Sequence, residues 1–192
     1  MSGASERLLT YLGPPGSFTH AAVDLLDTPW PVRVEARESV ADVIFSVESG
    51  EADAGVVPLE TSVEGDVSST IDELIFRSSM CFINEELVVP INYVVATSAG
   101  TRANAIDTLV TTTVAAAQCR RFIEGAGVRV ELVDSIAAAC RRVSDDSADS
   151  IAALATTKAA HLFALATVRS VAEDHSGIAT RMALLKRTLA HQ

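Results

Sequence analysis

The chain has 192 residues, 48% of them apolar and 21% charged, and 15 basic side chains against 25 acidic ones give a formal net charge of −10. The apolar fraction excludes a disordered chain, and the length suffices for one domain or two small lobes around a buried core. The acidic balance excludes nucleic acid and anionic membrane surfaces as partners, because both require clustered positive charge. An anionic ligand must then be held locally, by helix N-termini and single arginines.

Strand and helix signals alternate along the chain. Leu8 to Leu12 is a short apolar strand stopped by Gly13, Pro14, Pro15 and Gly16, and Ser17 is placed to cap a helix from Phe18 to Leu26. Val32, Val34 and Ala36 alternate with charged residues as a half-buried strand. Ser39 caps a helix through Ser49, Gly50 ends it, and Ala54 to Leu59 is an apolar strand. A loop from Glu60 to Ser68 leads to a helix with Ile71, Leu74 and Ile75, and Phe82 to Thr97 is a long extended segment containing a proline. After Ser98 to Thr101 the spacing predicts strands at Ile106 to Val110, Val128 to Val133, Ile151 to Ala155, Val168 to Ala172 and Met182 to Leu185. Helices are predicted at Val114 to Glu124, Ser135 to Val143 and Lys158 to Leu165, the first of them a core helix with Arg120 and Arg121 outward. Strands separated by helices of this length imply βαβ units and a parallel-rich sheet.

The chain repeats itself weakly. With Ser135 laid on Ser39, the residues Ser39, Ala41, Val47, Ala52, Asp53 and Thr61 meet identical partners at Ser135, Ala137, Val143, Ala148, Asp149 and Thr157. Both copies read as an acid, a capping serine, a helix, an apolar strand and a threonine turn. Two similar α/β lobes follow, with ligands expected beyond the carboxyl ends of strands, beside helix N-termini.

Cys81, Cys119 and Cys140 have no CxxC spacing, which fits a reducing cytoplasm. No basic segment followed by an apolar run opens the chain, and Leu87 to Ala96, broken by Pro90 and Asn92, is too short to span a bilayer. A cytoplasmic protein with no membrane partner is expected. The histidines His20, His161, His175 and His191 show no metal-ligand spacing, and no nucleophile elbow is present.

Four loops carry candidate chemistry. Gly13 to Thr19 links a strand to a helix and is suited to an anion; it is neither a nucleotide-binding fingerprint nor distinguishable by itself from a tight turn. Val57 to Gly65 ends a buried strand in Glu60, Thr61, Ser62 and Glu64, which serve either as acid-base groups or as solvated loop acids. Thr111, Thr112 and Thr113 supply one helix cap and further hydroxyls. Thr180 and Arg181 offer a neutral proton donor and a carboxylate clamp, although an arginine in such a loop is more often a plain surface residue.

At these loops the chain resembles the catalytic domain of the prephenate dehydratase family. Tyr11 to Thr19 is similar to the family's Y-L-G-P-E-G-[ST]-[FY]-[ST], and Gly55 to Gly65 to its G-V-V-P-I-E-N-S-x-E-G. Ala117, Gln118, Cys119 and Arg120 match the end of the S-H-P-Q-A-L-x-Q-C helix. Asp134 to Ala139 resembles the S-T-A-A-A segment, and Thr180-Arg181 the T-R-F motif. Pro15 and Thr61 stand where the family has Glu and Asn, the stretch from Thr111 to Ala116 has lost His, Pro and Gln, and Met182 replaces Phe.

The resemblance implies two α/β lobes with mixed sheets and a cleft between them, as in periplasmic ligand-binding proteins. One lobe is expected from residues 5–84 plus 166–190 and the other from 85–165, with no phenylalanine-sensing ACT domain after them. It implies conversion of prephenate to phenylpyruvate without metal or organic cofactor, by a protein whose partner is a small molecule; the family is commonly dimeric or tetrameric, which leaves a homodimer open without fixing the oligomer. Thr180 is the implied proton donor; Arg181 orients the loop or pairs with a carboxylate, and Glu60, Ser62 and Glu64 shape the hydroxyl end. Gly16, Ser17, Phe18, Thr61, Thr112, Thr113 and Ser135 are the implied substrate-binding residues. The altered positions leave two alternatives: a prephenate decarboxylase that retains the ring hydroxyl, and a non-catalytic protein that binds an aromatic keto acid.

Overall fold

The computed structural model describes residues 6–28, 31–63, 65–146, 150–171, 174 and 177–187. The chain divides into two compact units, one made of residues 1–14, 18–90 and 179–192 and the other of residues 15–17 and 91–178.

In the first unit, β1 (Arg7–Leu12) pairs in parallel with β2 (Val32–Arg37) and with β3 (Ala54–Thr61). The short β4 (Gly65–Asp66) folds back on β3, and the C-terminal β11 (Ala179–Arg187) lies antiparallel between β3 and β5 (Cys81–Pro90). The apolar alternation of these strands feeds both faces of the sheet. Val57 and Leu185 point to Val43 and Val47 of helix α2 (Val40–Ser49). Their neighbours Val56 and Leu184 join Tyr11 and Met182 on the other face, under Ala22 of α1 (Phe18–Val23). A capping box starts α2: Ser39 Oγ accepts from the Asp42 N–H at 3.1 Å and Asp42 Oδ2 accepts from the Ser39 N–H at 3.1 Å. Gly50 ends it with a left-handed φ of 78°. The helix α3 (Ser68–Asp72) continues into a π-helical turn, Glu73–Arg77.

The second unit repeats that plan. Its sheet runs β8 (Arg129–Leu132), β7 (Thr108–Thr111), β9 (Ile151–Ala155), β6 (Tyr93–Thr97), β10 (Ala166–Val171). The first three strands are parallel and the last two antiparallel, as in the sequence β2, β1, β3, β11, β5 of the first unit. The helices are α4 (Thr113–Gln118), α5 (Arg120–Ala126), α6 (Ile136–Ser144) and α7 (Thr157–Leu162). The internal repeat thus has a structural counterpart: Ser39 caps α2 and Ser135 caps α6, each helix preceding the strand that the shift predicts. Ala148 and Asp149 of the repeat lie outside the described residues. The sheets are mixed rather than simply parallel-rich.

Several expected boundaries move. The division expected at residues 85 and 166 falls at 91 and 178, because β5 pairs with β11 along its full length while β10 pairs with β6. The single helix from Val114 to Glu124 is two helices broken at Cys119. The cause is not local: the Asp174 carboxylate accepts from the Arg121 N–H at 3.0 Å and caps α5 from outside the segment, while the Asp174 N–H donates to the Gln118 carbonyl at 2.8 Å. Helix α1 is shorter than expected, closing in a turn after Val23.

Helix α7 ends early for a different reason. Ala164 adopts φ 53°, and the Leu165 N–H closes onto the Ala160 carbonyl at 2.9 Å. Glycine favours this left-handed position, and a Cβ there costs about 1 kcal/mol. Ala164→Gly is therefore expected to stabilise the protein by up to about 0.5 kcal/mol once glycine's greater freedom in the unfolded chain, about 0.5–1 kcal/mol, is subtracted, seen as a slightly higher urea midpoint at unchanged slope.

Candidate functional site

In the first unit, the candidate residues from distant parts of the chain meet at the carboxyl end of β3. Strand register sets Thr180 opposite Thr61 and Arg181 opposite Glu60, with a bulge just after Arg181. The Arg181 guanidinium donates from Nε and Nη2 to Glu60 Oε2 at 3.1 and 2.8 Å, and from Nη1 to Glu86 Oε2 at 3.0 Å. These two carboxylates, Glu86 first, push its pKa further up. Arg181 is thus fixed by its neighbours, and the Glu60 carboxylate keeps Oε1 without a partner among the described residues.

Ser62 closes the same corner. Its Oγ accepts from the Ala179 N–H at 3.0 Å and its own N–H donates to the Ala179 carbonyl at 3.0 Å. Thr180, next along the strand, is only 4% exposed. Its hydroxyl has no hydrogen-bond partner among the described residues and is not fully enclosed; the fully enclosed hydroxyl without a partner among them is that of Thr97. On β11 it shares the face of Met182 and Leu184, which α1 covers. Phe18, the first residue of α1, packs against that apolar cluster. Glu64 lies outside the described residues.

In the second unit, the parallel strands β7, β8 and β9 are followed by α4, α6 and α7, so three helix N-termini lie along one end of the sheet. Thr112 Oγ1 accepts from the Ala115 N–H at 3.2 Å and Ser135 Oγ from the Ala138 N–H at 3.1 Å, leaving each hydroxyl proton available for donation. Thr113 is the exposed first residue of α4. None of the three helices has an acidic residue in its first turn, whereas α2 carries Asp42 there. Their positive dipole ends are therefore not neutralised from within the first turn.

Gly16 belongs to this second group. Its φ is 89°, and a Cβ on it would come within 2.8 Å of the Ala159 Cβ, so only glycine fits. Thr156, which lies outside the four candidate loops, holds it there. The Thr156 hydroxyl accepts from the Ala159 N–H at 3.0 Å and donates to the Gly16 carbonyl at 2.7 Å. The signal for Thr156 was in the repeat, where the shift lays it on Glu60. Ser17 is half-buried beside Gly16. Glu86 and the Tyr11–His20 stack, with centroids 4.6 Å apart, were also missed; neither lies in the four loops.

The cysteines offer no nucleophile. Burial pushes the Cys140 thiol up to about 12; burial and then the Glu48 charge push Cys81 up to about 11. Among the described residues, no group of His, Cys, Asp and Glu side chains is placed to hold a metal ion, and no helix is long and apolar enough to cross a membrane.

A family model described as Prephenate dehydratase matches residues 9–189. A Prephenate dehydratase of Mycobacteroides abscessus is 34% identical over 187 residues, covering 93% of this chain and 60% of that protein. Among solved structures, the prephenate dehydratase of Arthrobacter aurescens in complex with L-Phe superposes with a TM-score of 0.82 at 29% identity, over 96% of this chain and 61% of that one. The Staphylococcus aureus prephenate dehydratase has the same fold, with a TM-score of 0.83 at 22% identity over 96% of this chain and 68% of that one. The chain spans about three fifths of the length of the first two.

Two outcomes follow from this geometry. Thr156→Val removes a helix cap and a buried hydrogen bond together and is expected to destabilise by about 1–3 kcal/mol in urea unfolding. With their pKa values raised, Cys81 and Cys140 are expected to stay unreactive toward a disulfide reagent at pH 8 in the folded protein, and to react at once in denaturant.

Proposed function

The chain belongs to the prephenate dehydratase family, and we propose that it converts prephenate to phenylpyruvate. The reaction breaks the bond from the ring to its carboxylate, releasing carbon dioxide, and that electron pair enters the ring as the bond to the hydroxyl oxygen breaks. The oxygen departs as water after gaining one proton. The ring becomes aromatic and no electrons leave the substrate, so the step is redox-neutral.

The observation that supports this reading is the Thr180 hydroxyl, carried by a residue only 4% exposed and without a hydrogen-bond partner among the described residues. Such a group is available to donate to the departing oxygen and to recover its proton from solvent. Arg181 holds Glu60 through Oε2, and the remaining oxygen, Oε1, accepts from the substrate hydroxyl and so orients it. Ser62 fixes the backbone beside Thr180 through the Ala179 amide. This assignment gives Arg181 a positioning role rather than a direct grip on a substrate carboxylate. The second unit, taken by itself, offers hydroxyl and backbone donors suited to a carboxylate at Thr112, Thr113 and Ser135, and Gly16 and Ser17 belong to the same unit. The reading takes the protein as cytoplasmic, in keeping with three buried, free cysteines.

Incubating the purified protein with prephenate and following absorbance with mass detection tests this. Phenylpyruvate is the expected product. A decarboxylated product that keeps the ring oxygen would replace the proposal with decarboxylation, and unchanged prephenate would leave a binding protein. Thr180→Val is close in shape and breaks no hydrogen bond to a described residue, so its melting temperature should stay within about 1 °C while kcat falls about 100-fold or more.

A further inference from the structure

The sheet of the second unit is filled on one face and open on the other. Val94, Ala96, Val110 and Ala153 pack into a continuous core with α6 and α7. Val95 and Leu109 point the opposite way, into a cavity of about 280 Å³ beneath α5. Close packing leaves few voids larger than a water molecule in a protein interior, and this one opens to the surface. Its size lies just under the lower end of small-molecule sites, about 300 Å³.

The walls are apolar apart from two side chains. Phe122 of α5, Val95, Leu109 and Val168 form the body of the cavity, and Arg169 and Asn104 are its polar groups. The Arg169 guanidinium lies 5.0 Å from the centre of the Phe122 ring. Neither Arg169 nor Asn104 has an ion pair or side-chain hydrogen bond among the described residues. In a chain with a net charge of −10, an arginine left without a carboxylate at the rim of an apolar cavity is a complementary site for one. The strand itself is bent to this end. A register shift in β10 between Thr167 and Arg169 places the consecutive residues Val168 and Arg169 on the same cavity, which regular alternation forbids.

We propose that this cavity binds a compact organic monocarboxylate with an apolar body, the body against Phe122, Val95, Leu109 and Val168 and the carboxylate on Arg169 and Asn104. The site is made entirely of second-unit residues and uses none of those assigned to the chemistry, so it stands or falls independently of the proposed reaction.

The probe is 3-phenylpropanoate, titrated into the full chain by calorimetry, with 3-phenylpropan-1-ol as its uncharged counterpart. Saturable binding is expected, at least tenfold weaker for the alcohol. Arg169→Met, which keeps the apolar stem and removes the charge, should weaken binding of the acid at least tenfold. Ala126→Phe, an exposed position on the cavity wall, should fill the space and abolish it. Unchanged melting curves establish that both variants fold. The absence of saturable binding up to 10-millimolar-scale probe (about 10 mM, weaker than the usual range of small-ligand sites) overturns the proposal. Affinity for the acid that either variant leaves within twofold of the parent also overturns it.

Discussion

A strand inserted between two others must satisfy the hydrogen-bonding edges of both, and its register is then set twice. Strand β11 is held in this way by β3 on one side and β5 on the other. Its apolar residues alternate between the two faces of the sheet, Ala183 and Leu185 under α2 and Met182 and Leu184 under α1. A slip by one residue would exchange the two sets, and the core resists it. The same register sets Arg181 opposite Glu60 and Thr180 opposite Thr61, across a separation of about 120 residues in the chain. The candidate chemistry of the first unit is thus a by-product of how its sheet is closed.

Net charge bears on function through where it is absent. An acidic chain repels anions at long range, and salt screens that repulsion beyond about 10 Å. Within each unit the local arrangement decides. Arg181 is neutralised by Glu60 and Glu86, so it contributes geometry rather than net attraction. The N-termini of α4, α6 and α7 have hydroxyl caps and no first-turn acid, in contrast to α2, whose Asp42 completes a capping box. That contrast between two copies of one architectural plan leaves the dipole ends of the second unit's helices uncompensated within their first turns.

Much of the architecture was legible before any coordinates. Ser39, Ser135 and Gly50 punctuate helices by local hydrogen bonding and backbone preference, and the structure has caps at all three. The repeat of capping serine, helix and strand anticipated two similar α/β lobes, and the structure adds that their sheets share one strand order. The errors fell where distant residues intervene. Asp174 caps α5 and breaks a helix whose own sequence reads as continuous. Strand β10 joins β6 rather than the first unit, a choice between edges that its six residues do not encode. Glu86 sits mid-strand between Glu85 and Leu87 and has no motif to mark it; only pairing with β11 brings it to Arg181.

The amino-acid sequence by itself determined the class of fold, the family and the four loops in which the candidate residues reside, because caps, periodicity and short motifs are local properties. Tertiary structure decided what those residues are free to do. It committed the Arg181 guanidinium to two carboxylates, left the hydroxyl of the largely buried Thr180 with no partner among the described residues, and made glycine the only residue type that fits at position 16 against Ala159. It also left one face of the second sheet unfilled beside Arg169. These are statements about which groups are already satisfied, and satisfaction depends on neighbours that the chain brings together only on folding.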